Sequence, residues 1–298
     1  LKIPDQNQQN MARSSKLWLL YALITTLFWG VWGAFIEIPE KAGFPATLGY
    51  VIWSLTMIPC SLVALKVIGW RPETDTRSIF LGMTVGLLGA GGQLILFEAL
   101  RDGPAYIIFP LISLFPVLTI ILSVLFLRER TTRRHWAGIG LSLLAAFFLA
   151  NPQLGGSHVH GSTWLLLAVI VFMMWGLQAY VMKFSNRTMK AESIFMYMCI
   201  SALLLAPVAL AMTSFSTPVN WGLKGPWLAA LVHVLNSIGA LTLVYALRHG
   251  NAIVVVPLTG LSPVITILLS LVIYAVMPGA ILLIGLVLAA IAILLLSE

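Results

Sequence analysis

The sequence predicts an all-α membrane protein whose ten transmembrane helices form a 5+5 inverted-topology repeat. Three observations carry this. The chain of 298 residues is 60% hydrophobic and 9% charged, whereas soluble chains carry about 25% charged residues. Its apolar residues fall into runs long enough to cross a bilayer. The second half repeats the first.

A helix needs roughly 20 apolar residues to span the hydrocarbon core. Such runs lie near 17–36, 46–68, 78–99, 104–127, 134–150, 163–184, 193–215, 225–247, 251–275 and 279–297. Between them stand breakers: Pro39 and Gly43, Arg71-Pro72, Gly103-Pro104, Asn151-Pro152, Pro218, Gly250-Asn251 and Pro278-Gly279. The expected organisation is a cytoplasmic tail over 1–15, a five-helix repeat over 16–150, an outer linker over 151–162 and a second repeat over 163–298. The tail is polar and lacks the apolar core of a signal peptide; Met11 is a candidate start.

Basic residues orient the chain. With the N-terminus in the cytoplasm, all of the 17 Lys and Arg except Lys41, Arg101 and Lys224 fall on that side. Both termini are therefore expected there, in a bacterial inner membrane by default, an organelle membrane being the alternative. The net charge of +7 follows from these loops and does not call for nucleic acid. Cys60 and Cys199 lie inside apolar runs and support neither a disulfide framework nor a metal site.

The repeat is explicit. Residues 99–123 read ALRDGPAYIIFPLISLFPVLTIILS and residues 246–270 read ALRHGNAIVVVPLTGLSPVITILLS, with more than half the positions identical. Gly103 pairs with Gly250, Pro110 with Pro257, Pro116 with Pro263, Thr119 with Thr266, and Trp29-Gly30 with Trp175-Gly176. Five spans is an odd number, so the second half enters the membrane inverted. Inverted repeats place a binding site near the midplane where the halves meet, and rocking exposes it to either side.

The Trp-Gly of the first span, the AL–G–A–P–P pattern across the third and fourth, and Leu127-Arg128-Glu129-Arg130 before a Gly-containing fifth span resemble the EamA domain. Tandem EamA domains form ten-helix members of the drug/metabolite transporter superfamily, so the resemblance implies a transporter and no enzyme. It covers essentially 17–297. Glu129 stands at the family's acidic position after the fourth helix, whereas the equivalent stretch around 274–279 has no charge. A cytoplasmic clamp at that position can operate in one half only.

Polar residues inside spans are the sharper functional clue, because hydrocarbon penalises them. Superposing the repeats pairs Gly86 with His233, Gly89 with Asn236 and Gln93 with Ala240, all on one helical face. These side chains either line a central cavity or bond helix to helix. Trp29 and Trp32, matched by Trp175 and Gln178, serve as aromatic walls for a substrate or as packing. Pro110, Pro116, Pro257 and Pro263 are gating bends or static kinks. Glu37 and Glu98 at the outer mouth and Lys183 at the inner end are gates or merely snorkel to water.

No Lys or Arg is expected near the midplane, which disfavours phosphate-bearing substrates. The expected function is alternating-access transport or export of a small neutral or zwitterionic metabolite such as a sugar or amino acid. Efflux of aromatic or cationic amphiphiles is the alternative; a channel, scramblase or sensor is the rival of another class. His233, with an unperturbed pKa of about 6.5, is a candidate carrier of a coupling proton. The expected partners are a small-molecule substrate and the lipid bilayer, with room for a homodimer, and no cofactor.

Overall fold

Where the apolar runs predict spans, a computed structural model places helices. It describes residues 6–102, 105–149, 163–274 and 279–297, with side chains inside a few of these stretches left out. In chain order they are α1 Gln6–Phe35, α2 Glu37–Lys41, α3 Ala46–Val67, α4 Thr76–Asp102, α5 Ala105–Ser113, α6 Phe115–Phe126 and α7 Arg133–Leu149. The second half supplies α8 Thr163–Ser185, α9 Ala191–Ala211, α10 Leu228–His249, α11 Ala252–Thr259, α12 Ser262–Tyr274 and α13 Ala280–Ser297. One wide π-turn, Leu223–Trp227, leads into α10.

Ten spans result, because α5 with α6 and α11 with α12 each form one broken span. Eight described helices are long and apolar enough to cross a membrane by length and composition. The two that fall short are α5–α6, interrupted at Leu114, and α7, only 17 residues long. The chain is an integral membrane protein. Its outward faces carry Phe80, Leu231 and Val272, each about 70–80% exposed, a density of bare apolar surface that only lipid can cover.

The expected tail differs in one respect: it is helical from Gln6, continuous with α1. Gln, Met, Ala and Arg in this stretch are adequate helix formers, and a preformed helix below them removes the nucleation cost.

The packing has the symmetry the repeat requires. α1 lies on α10, and its repeat mate α8 lies on α4. α1 also meets α12, as α8 meets α6; α4 meets α9, as α10 meets α3. The α3–α9 and α7–α13 pairs each join a helix to its own counterpart, so the pseudo-two-fold axis passes through them. Two sets of hydrogen bonds fix the arrangement. Trp29 Nε1 donates to the Asn236 carbonyl at 3.2 Å, and Trp175 Nε1 to the Gly89 carbonyl at 3.3 Å. Thr266 Oγ1 donates to the Gly30 carbonyl at 2.9 Å, and Thr119 Oγ1 to the Gly176 carbonyl at 2.8 Å. Each bond crosses between halves, and each has its mate under the repeat.

Candidate functional site

The prolines explain where two spans break. Pro116 and Pro263 occupy the first turns of α6 and α12, positions where a missing N–H costs nothing because the first four donors of a helix have no partner anyway. Pro257 lies within α11, buried. Pro110 lies within α5, and its side chain is outside the described residues. The chain therefore divides at Leu114 and at Gly260-Leu261, the same place in both halves.

One end of the bundle holds a cavity of about 450 Å³ lined by Arg128, Glu129, Arg130, Lys183, Asn186, Arg187, Arg248 and Asn251 among others. Glu129 and Lys183 are its buried members, 3.8 Å apart, with side-chain exposures of 6% and 14%. The carboxylate also accepts the Ile253 backbone N–H at 3.1 Å, in the first turn of α11, where the helix dipole favours an anion. Lys183 Nζ donates to the Leu247 and Gly250 carbonyls at 2.9 and 2.6 Å, at the C-terminus of α10, where a cation is favoured. Glu129 thus ties the end of α6 to α8, α10 and α11.

Its aim depends on Arg128, which sits at φ +55°, a left-handed conformation that costs a non-glycine residue about 1–2 kcal/mol. That residue lets Glu129 N–H turn back onto the Ser123 carbonyl at 3.1 Å, closing α6 in a glycine-type cap built without glycine.

A second carboxylate closes the same end. Glu73, in the α3–α4 connection, accepts from the Ser193 hydroxyl and, at 3.2 Å, from the Lys190 N–H at the start of α9. Burial alone would raise its pKa. The Ser193 and Lys190 hydrogen bonds, with the Lys190 charge, outweigh that and hold the carboxyl below its usual range. A depressed folded pKa contributes stability above the unfolded value of 4.5, lost as pH falls through the folded pKa. The melting temperature in detergent is expected to fall on acidification below about pH 4.5. Ser193→Ala should lower it at pH 7 and flatten that acid dependence; an unchanged pH profile counts against the latch.

At the opposite end the halves meet through neutral groups. Thr213 Oγ1 donates to Thr47 Oγ1 at 2.8 Å, and Asn220 Nδ2 to the Ala42 carbonyl at 2.9 Å. Glu37 and Glu98 lie toward this end, but each pairs along its own helix, with Lys41 and Arg101. Exposed pairs of this kind contribute at most about 1 kcal/mol.

Between the ends, the polar stripe is assembled as a helix interface. Trp32 Nε1 donates to His233 Nδ1 at 3.1 Å, and Trp29 reaches the Asn236 backbone, not its side chain. Gln178 lies against Gly89, and Trp175 against Gly92. Gln93 is half-buried on α4. Trp29, Trp32, His233 and Asn236 thus come together between α1 and α10; Trp175 and Gln178 meet α4, where Gln93 lies, at the symmetric position. Lys183, Glu37 and Glu98 lie apart from both.

The structure adds residues the spacing argument missed. His233 is 6% exposed, and its Nε2 has no hydrogen-bond partner; neither do the Tyr50 hydroxyl and Trp53 Nε1 on the facing helix α3. A buried unsatisfied group costs about 1–3 kcal/mol. Tyr50 and Trp53 stand one helical turn apart, at the spacing that marks a shared face, and this is the signal that could have found them.

A ten-helix membrane bundle of two interlocked inverted halves, latched at one end by charge, defines the class: a membrane transport protein. The model of the EamA-like transporter family matches residues 16–151 and 162–298, and the chain belongs to that family, within the drug/metabolite transporters. It is 24% identical to protein LicB of Haemophilus influenzae over 210 residues, covering 67% of this chain and 70% of LicB. It is 28% identical to protein RarD of Streptomyces exfoliatus over 141 residues, covering 44% of this chain and 43% of RarD. Over 83 residues it is 32% identical to a probable 4-amino-4-deoxy-L-arabinose-phosphoundecaprenol flippase subunit, ArnE, of Hamiltonella defensa, covering 28% of this chain and 74% of that one. A solved crystal structure of 18% identity shares the fold, with a TM-score of 0.74 over 92% of this chain and 97% of that one.

Proposed function

We propose that this transporter moves a small neutral or zwitterionic organic solute, such as a sugar or amino acid, by alternating access, with its basic end in the cytoplasm. The observation that carries the reading is the asymmetry of the closures around a symmetric core. Paired Trp and Thr bonds make the two halves equivalent at mid-bundle, so two inverted states of similar energy are available. The basic end alone carries the Glu129–Lys183 and Glu73–Lys190 contacts, which must part for a substrate to pass there.

The stripe of Trp29, Trp32, Gln93, Trp175, Gln178, His233 and Asn236 contains no acidic or basic side chain other than histidine. A cationic amphiphile finds no carboxylate in it, and a phosphate finds no guanidinium or ammonium. Trp32 N–H can only donate, so His233 Nδ1 must accept and the imidazole is held neutral with its proton on Nε2. A second proton on Nδ1 would face the indole N–H, which argues against His233 as the proton carrier.

Counterflow in proteoliposomes is the test, because exchange of labelled for unlabelled solute is expected of a carrier and not of a pore. Accumulation of at least one labelled sugar or amino acid against an unlabelled internal pool is expected. His233→Gln should leave any pH dependence in place. Flux that never shows exchange, or that saturates only with phosphorylated solutes, removes this reading.

A further inference from the structure

α3, which carries Tyr50 and Trp53, packs on α10 of the other half, which carries His233. His233 Nε2 lies close to Gly49: a Cβ built on that glycine would stand 3.4 Å from it. Tyr50 is the next residue, and its ring meets Trp53 edge-on with centroids 5.2 Å apart. Three polar atoms on this helix pair are buried and unpartnered: Tyr50 Oη, Trp53 Nε1 and His233 Nε2. Native interiors rarely leave one such group unpaired, and three on one helix pair call for partners that the chain does not supply.

The chemistry of the cluster selects the partner. An indole N–H donates and never accepts. The Trp32 bond fixes His233 with its proton on Nε2, so that atom also donates. A tyrosine hydroxyl can do either. Next to them Thr56 and Ser237 satisfy one another across the same helix pair at 3.1 Å, which shows that α3 and α10 can pair their polar groups when they are meant to. The missing partner is therefore an acceptor supplied from outside the chain.

We propose that Tyr50, Trp53 and His233 form the subsite that takes the oxygen acceptor of the transported solute, a carboxylate, carbonyl or hydroxyl group, with the Tyr50–Trp53 edge as its apolar wall. This deepens the transporter reading and rests on it for the word transported. Gly49 belongs to the subsite because its missing side chain leaves room beside Nε2–H, where a Cβ would stand 3.4 Å away. Leaving these donors unpaired until the solute arrives makes the contact available only to a molecule that carries acceptors, so a solute without them is rejected by the desolvation it cannot repair.

Thermal unfolding of the detergent-purified full chain tests this, with two readouts. Without ligand, Tyr50→Phe removes an unsatisfied hydroxyl at nearly constant shape, and the melting temperature is expected to rise by about 2 °C. With ligand, panels of free amino acids and hexoses are compared with the amines that lack the carboxylate of each amino acid. At least one acceptor-bearing probe should raise the wild-type melting temperature and its matched amine should not, the two panels separating a carboxylate from a hydroxyl acceptor. Tyr50→Phe should weaken that probe about tenfold, and Gly49→Ala, which places a methyl at ordinary contact distance over Nε2, should abolish its shift. A fall in the ligand-free melting temperature of Tyr50→Phe, an undiminished shift in Gly49→Ala, or no shift from either panel would overturn the subsite. Failure of counterflow with these binding results intact would instead remove transport and leave the subsite standing.

Discussion

Lys183→Met should destabilise the detergent-solubilised protein by about 3–5 kcal/mol, the cost of leaving one member of a buried ion pair without its partner. Both side chains are nearly enclosed, so solvent screening removes little of it. Three losses coincide. Glu129 Oε1, which has no hydrogen bond of its own, loses the ammonium 3.8 Å away. The Leu247 and Gly250 carbonyls at the end of α10 lose their donor. Glu129 keeps the Ile253 N–H, which is not enough to neutralise it.

Adding Glu129→Gln to Lys183→Met should recover most of the stability, because the glutamine carbonyl can still accept from Ile253 with no charge to strand. Equilibrium unfolding of the two single variants and the double variant measures the coupling directly. If the pair is also a gate at the basic end, a cysteine placed at Asn186, whose side chain bonds the Met182 and Val244 carbonyls beside the cavity, should label faster with a polar maleimide in Lys183→Met than in the parent. Strict additivity of the two substitutions would mean that they do not interact, and the gate would be lost with the pair.

How legible this was in the sequence differs sharply between levels. Span number, the repeat and its inversion were readable because lipid imposes a length and a hydropathy on each helix, and the repeat preserves Trp29-Gly30, Thr119 and the prolines in matched positions. The breaks at Leu114 and Gly260-Leu261 follow from the same prolines, but their location, just before Pro116 and Pro263 and not at Pro110 or Pro257, depends on which residues begin the next helical segment. The Trp32–His233 contact was half-readable: both residues stood out as polar groups in spans, yet only the α1–α10 packing makes them partners. Tyr50 and Trp53 are aromatic residues of a kind ordinary in a span; their one-turn spacing marks a shared face, but that their polar atoms lack partners emerges only from the packing. Glu129 was marked by its resemblance to a family position, whereas its contact with Lys183 requires α6 and α8 to end together. Lys183 aligns, under the repeat, with Glu37. The sequence therefore held the reason for the asymmetry, one charge reversed between the halves, without showing which end would be latched.

Gly30→Ala and Gly176→Ala are expected to damage the core substantially, and for the same reason. A Cβ on Gly30 would overlap the Ile265 side chain at its root and approach the Ser262 carbonyl oxygen at 2.9 Å; on Gly176 it would meet Leu118 Cβ at 2.8 Å. Neither obstacle is the free end of a flexible chain, so α1 must move off α12, and α8 off α6. Overpacking of this kind costs about 1–3 kcal/mol. Separation also stretches the Thr266–Gly30 and Thr119–Gly176 hydrogen bonds, each contributing about 1 kcal/mol more. Gly30 should be the worse of the two, because its Cβ would crowd Ile265 Cβ more closely than the Gly176 Cβ crowds Leu118 and would also meet a backbone carbonyl oxygen.

Gly140 in α7 supplies the control. Nothing lies within 4 Å of a Cβ placed there, so Gly140→Ala should be neutral or should stabilise the helix by about 0.5–1 kcal/mol. The three variants share one chemical change and differ only in what the methyl meets. Fluorescence-detected gel filtration after graded heating ranks them without any knowledge of the substrate. Close approach between the halves predicts the order Gly140, Gly176, Gly30 from most to least stable. If Gly30→Ala survives heating as well as Gly140→Ala, the α1–α12 contact is looser than described, and the two-fold relation between the Thr bonds loses its physical basis.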